Sequence, residues 1–157
     1  MFEIHLTIEV IDQTAETKFR HWSFTTDNKI AILELSDGRI DMMTSVRTGN
    51  LVPDYVAMKA SLEQWGFNVI RTKIETVPWV DREEVLYYEA HLDCRLDGYP
   101  FARNIAKTNK WSSTIRTDGL EIYDILKTLP EGIEYEVEAI VFDDNRAHDD
   151  SWINMLK

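Results

Sequence analysis

The sequence predicts an α+β protein made of two pseudo-repeated ferredoxin-like half-units, with mostly antiparallel sheet, helices on one face and a polar sheet face that forms a cleft. Three observations predict it. Several segments alternate apolar and polar residues with the period of a half-buried strand. Helical spacings fall between such segments, one in each half. An aromatic-Glu-x-His-Leu pattern is written twice, as FEIHL at 2–6 and YEAHL at 88–92. The 157 residues suit a single domain, 1–157, with pseudo-repeat halves at about 1–78 and 84–143 and a C-terminal tail at 144–157.

The elements follow in order. From Phe2 to Val10 the apolar set Phe2, Ile4, Leu6, Ile8, Val10 alternates with Glu3, His5, Thr7, Glu9, which predicts a strand covered on one face. A short helix is expected from Thr14 to Trp22, capped by Asp12 or Thr14. KIAILEL, the turn SDGR and IDMMTS read as a hairpin. Pro53 opens the next helix, Tyr55, Met58, Leu62 and Trp65 form its buried stripe, and Gly66 stops it. FNVIRTKIETV is a strand with Arg71, Lys73 and Glu75 on its polar side, and VPWVDREE at 77–84 is a corner between halves.

The second half opens with a strand from about Val85 to Leu96, which again turns a histidine, His91, to the polar side. FARNIAKTN is ambiguous between a short helix and irregular chain, and WSSTIRT is a strand carrying Thr114 and Arg116. In DGLEIYDILKTL, Asp118 caps a helix with the stripe Ile122, Ile125, Leu126, Leu129, ended by Pro130 and Gly132. IEYEVEAIVF is the last long strand, and the tail is a turn with a short docking helix.

Composition narrows the function. The 44% hydrophobic content supplies a core, yet no apolar run approaches the roughly 20 residues that cross a bilayer. The opening MFEIHLTIEV lacks the basic start and cleavage site of a signal peptide, so a cytoplasmic protein is expected. The single cysteine, Cys94, falls on the apolar side of its strand and is expected to be a buried thiol. A formal net charge of -11 argues against general nucleic-acid binding and against an anionic membrane surface. Oligomeric state stays open.

The polar registers collect Glu3, His5, Thr7 and Glu9, then Arg71, Lys73 and Glu75, then Glu89, His91 and Asp93, with Thr114, Arg116, Glu134, Glu136 and Glu138. The ordinary explanation is a solvated charged face with pairing across strands. Matched histidines beside arginines point instead to proton transfer near neutral pH. Arg71, Lys73, Arg103, Lys107 and Arg116 adjoin this face and suit a small anionic substrate, with Asn104 placed to position it or to make a turn.

IHLTI at 4–8 resembles the H-x-T signature of the 2H phosphoesterases, in which two such motifs face a shared cleft. The resemblance implies a hydrolase without a cofactor, acting on a phosphorylated small molecule or cyclic phosphodiester. His5 and His91 would be its acid and base. Thr7, with Arg71, Lys73 and Arg116, would hold the anion. His91 matches the second motif, while Asp93 stands where Thr or Ser belongs.

Two other readings stand beside it. His5, Glu75, His91 and Glu138 offer two imidazoles and two carboxylates, a donor set for divalent Zn, Ni, Fe or Mn that resembles the vicinal oxygen chelate family. The tail cluster Asp143, Asp144, His148, Asp149, Asp150 matches no calcium-loop spacing and is expected to be a turn and cap. The remaining reading is a noncatalytic binding or assembly module. No nucleophile elbow, phosphate-binding glycine loop, paired CxxC or dinucleotide fingerprint occurs.

Overall fold

The computed structural model describes residues 1–35, 38–94, 101–104 and 111–150. Its strands are β1 (Phe2–Ile8), β2 (Ile30–Leu35), β3 (Ile40–Thr48), β4 (Val69–Thr76), β5 (Tyr87–Leu92), β6 (Phe101–Asn104), β7 (Trp111–Thr117) and β8 (Tyr135–Asp143). Its α-helices are α1 (Thr14–Thr26), α2 (Leu51–Gln64), α3 (Glu121–Leu126) and the short α4 (Ala147–Asp150). The fold class is α+β, with every strand pair antiparallel.

The sheet closes on itself. Its order is β1-β3-β2-β6-β7-β5-β8-β4, and β4 pairs back onto β1, so each strand has two neighbours and no edge is left to template aggregation. Taken separately, residues before and after the 77–84 corner have the orders β4-β1-β3-β2 and β8-β5-β7-β6. Register shifts at Thr7/Ile8 and Ile74/Glu75 bend β1 and β4 where the ring tightens.

Alternation decides what each face does. Ile4, Leu6, Ile8, Ile32, Met42 and Ile74 leave the barrel outward and are covered by Phe19 and Trp22 of α1 and Met58 and Leu62 of α2. Trp22 also donates from Nε1 to Ser61 Oγ at 3.1 Å, which ties the two helices together. On the other side, Tyr88, Ala90, Leu92, Ile115 and Ala139 pack against Ile122 and Leu126 of α3. Because successive strand residues point to opposite faces, the charged registers between these apolar residues must point inward. Glu89 and Arg116 are 1% and 0% exposed. The polar face therefore lines the closed ring, buried at Glu75, Glu89 and Arg116 and open to solvent at Glu136 and in part at His91.

Several boundaries differ from expectation for local reasons. α1 runs on to Thr26 and stops where Asp27 adopts φ 57°. β5 ends at Leu92, because Asp93 turns away and its carboxylate accepts the backbone N–H of Glu134 at 3.2 Å. α3 begins at Glu121 and has no side-chain cap. Asp118 instead receives Arg82 on its carbonyl at 2.9 Å and Arg146 on its carboxylate at 2.7 Å. FARN resolves as β6. Cys94 is half-buried beside the α3 cluster. Among the described residues no helix is long and apolar enough to cross a membrane.

Candidate metal centre

Four strands bring the site together. Glu3 and His5 face inward from β1, Lys73 and Glu75 from the neighbouring β4, and Glu89 and His91 from β5, with Glu136 and Glu138 from β8 between β4 and β5. One ligating atom each from Glu3, His5 and Glu75 lies within 4.8 Å of the others, and the same holds for Glu75, His91 and Glu138. Glu75 belongs to both triads. The four residues that the sequence offered as a metal set, His5, Glu75, His91 and Glu138, thus meet on one carboxylate.

The two oxygens of Glu75 have different surroundings. Oε1 is hydrogen-bonded to Nε2 of His5, whose Nε2 also stands 3.7 Å from Glu3 Oε1. Oε2 is buried and accepts no hydrogen bond among the described residues, in a residue only 4% exposed. Oε2 of Glu138 is likewise buried without a hydrogen bond, 3.6 Å from His91 Nε2. Leaving a buried carboxylate oxygen without a donor costs about 1–3 kcal/mol, more for a charged group, a cost that a cation or a water molecule beside the two oxygens would relieve. Burial pushes the Glu75 carboxyl up, but the hydrogen bond and charge of His5, helped by Lys73 and His91, outweigh it and keep the group below the ordinary value. It is ionised at neutral pH.

Glu89 shows what a satisfied carboxylate looks like here. Arg116 reaches it at 3.2 Å, Lys73 at 3.4 Å and His91 Nε2 at 3.4 Å. Burial alone would raise its carboxyl, yet the charges of Lys73, His91 and Arg116 hold it far below the carboxylate range. Thr114 Oγ1 lies 3.3 Å from Nδ1 of His91, which turns Nε2 toward the acidic groups. Lys73 and Arg116 are therefore committed to Glu89.

Arg71, expected to bind substrate, is committed as well. It forks onto Asp143 at 3.0 and 2.7 Å, and the Tyr87 hydroxyl donates to the same carboxylate. Arg116 and Arg146 stack on the Tyr87 ring at 4.3 and 4.6 Å. His148 of α4 meets Asp41 at 2.9 Å, and Asp144 accepts the backbone N–H of Thr72 at 2.7 Å. Asp143, Asp144 and His148 of the tail cluster are thus structural. The side chains of Asp149 and Asp150 lie outside the described residues, as do those of Arg103 and Asn104 on β6 and all of Lys107.

A cavity of about 560 Å³ opens beside the Glu75 cluster, and Glu3, Glu75, Glu136 and Glu138 form its acidic wall. None of Thr7, Arg71, Lys73 or Arg116 lines it. Around the cluster and this mouth, Glu3, Glu75, Glu89, Glu136 and Glu138 face the permanent cations Arg47, Lys73 and Arg116.

The chain matches no protein-family model, no curated protein and no solved structure. The chemistry of the site therefore rests on its own residues. Sequence reasoning named His5, Glu75, His91 and Glu138, and the structure unites them. It placed Thr7, Arg71, Lys73 and Arg116 in an anion site, with Asp93 as the departure from the motif, and none of these four lines the cavity. It missed Glu3 as a neighbour of His5, Glu89 as the counter-ion of Lys73 and Arg116, and Thr114 as the partner of His91. The i−2 spacing of Glu3 to His5 and of Glu89 to His91, which puts each pair on one face of a strand, was the available signal.

Proposed function

We propose that the barrel interior is the centre of a metal-dependent enzyme, holding one divalent transition metal on Glu75, His91 and Glu138. The observation that carries this reading is the buried Oε2 of Glu75, which accepts no hydrogen bond, in a residue that forms a triad with the His91 imidazole and the Glu138 carboxylate. Ligands at about 2.0–2.2 Å from a metal stand at most about 4.4 Å apart, so a triad within 4.8 Å closes with small side-chain adjustments. Two carboxylates neutralise a dication. A mixed N and O set of three suits Zn, Mn, Fe or Ni and leaves coordination positions for water or substrate on the cavity side. His5 then serves as a positioning residue: its bond to Oε1 fixes the carboxylate so that Oε2 faces the ion.

The identical strand orders of the two halves support reading the barrel as two ferredoxin-like units, the second without a helix after its first strand among the described residues. In that reading His5 and His91 hold equivalent places on β1 and β5, and the halves have diverged so that one histidine ligates and the other orients.

Titration of metal-free protein with Mn²⁺ and Zn²⁺ by calorimetry tests this. His91→Ala and Glu138→Gln are expected to weaken binding at least 100-fold, and His5→Ala by about 10–100-fold, the range for an outer-shell partner. Unchanged affinity in both ligand variants would overturn the metal site.

A second reading, two-histidine cleavage of a phosphoester, is favoured by the convergence of both imidazoles on Glu75. Against it, the cavity wall is acidic and the basic residues are ion-paired elsewhere. It requires metal-independent turnover of a cyclic nucleotide that either His→Ala change abolishes.

A further inference from the structure

The mouth of the cavity carries groups that a metal site alone does not need. Trp79, in the corner after β4, is 81% exposed, and Phe2, Val77 and Tyr123 stand with it along the rim. An indole left in water costs free energy unless something covers it. Beside Glu3 of the acidic wall, Arg47 of β3 lies 73% exposed in the same lining and meets Glu3 through Nε at 3.6 Å. That contact leaves both terminal nitrogens of the guanidinium for a ligand, in the planar fork that fits a carboxylate.

We infer that the cavity binds a small aromatic carboxylate, its ring against Trp79 and Tyr123 and its acid group on Arg47, with the rest of the molecule directed at the Glu75 cluster. The inference rests on the metal reading only for that last direction. A volume of about 560 Å³ holds a ring with a short side chain, and apolar and aromatic walls with a few placed polar groups are the usual make-up of a small-molecule site. An anion is admitted at Arg47 although the inner wall is acidic, because the guanidinium is 73% exposed, where water and salt screen it from the carboxylates further in.

The probes are benzoate, phenylacetate and 3-phenylpropionate, compared with acetate and benzyl alcohol, titrated by calorimetry and by ligand-observed NMR into the full chain with and without one equivalent of Mn²⁺ or Zn²⁺. At least one aryl acid is expected to bind ten times tighter than acetate and than benzyl alcohol. Arg47→Ala and Trp79→Ala are each expected to weaken it tenfold or more, while metal affinity changes less than threefold in Trp79→Ala. Both side chains are exposed, so neither change should unfold the barrel, and circular dichroism confirms that. Absence of aryl-acid binding in both forms, or binding indifferent to both variants, would overturn the inference. If the metal fails to bind but the aryl acid binds with this variant pattern, the aromatic acid site stands and the metal reading falls.

Discussion

Glu75 and Glu89 are both buried glutamates in one barrel, and they should respond oppositely to the same chemistry. Glu89 balances Lys73 and Arg116, so Glu89→Gln leaves two cations short of their counter-ion and is expected to cost about 3–5 kcal/mol in urea unfolding. Glu75 has an oxygen without a donor, so in metal-free protein Glu75→Gln should change stability by less than about 1 kcal/mol. Asp143 sets the acid limit. Burial pushes its carboxyl up, but the hydrogen bonds from Arg71 and Tyr87 and the Arg71 charge outweigh this and leave it below the ordinary value. A depressed folded value means stability that is full above the unfolded value of about 3.9 and is lost as pH falls through the folded one. Burial, then the Glu89 carboxylate, push the Tyr87 hydroxyl far above the phenol range, so its contribution holds below about pH 10 and is lost above. Unfolding free energies measured from pH 3 to pH 11 should show both losses, with the acidic limb flattened in Asp143→Asn. Single residues were the least legible scale in the sequence. Alternation showed which side of a strand Arg71 occupies, but a partner 72 positions away, Asp143, is set by β4 pairing with β8.

At the scale of elements, α2 was read correctly because its stripe and its stop are both local. Leu62 is fully buried against β1 and Val56 on the same helix is 56% exposed. Leu62→Ala should cost about 2–5 kcal/mol and Val56→Ala less than about 0.5 kcal/mol. Gly66 adopts φ +85° just past the helix, so Gly66→Ala should cost about 1–2 kcal/mol in the same assay. α3 was misplaced at its start for a nonlocal reason. Asp118 looks like a cap in the sequence, but Arg82 and Arg146 from distant segments take its carbonyl and carboxylate. β6 could not be read from FARN alone, since four residues carry too little periodicity and the strand is fixed by β2 and β7 on either side.

The whole molecule supplies what no element has. Alternation in β1, β4, β5 and β8 specified a polar face, and closure of the ring turned that face into an interior. Closure depends on β4 meeting β8 and β2 meeting β6, pairings between the halves that leave no trace in either half's pattern. This is why the four candidate ligands were legible and their burial was not. An ion bound only by the folded barrel must also stabilise it, so the unfolding temperature should rise with metal concentration, by the equivalent of about 2.7 kcal/mol at one hundred times the dissociation constant. The same addition should do nothing for Glu138→Gln. The most direct measurement is calorimetric titration of untagged, metal-free protein and its Glu75→Gln variant with Mn²⁺ and Zn²⁺, with the fold of each checked by circular dichroism. The account predicts one divalent ion per wild-type chain and at least 100-fold weaker binding in a folded Glu75→Gln. A wild-type chain that takes up neither ion, or a variant that binds as tightly as wild type, would contradict it.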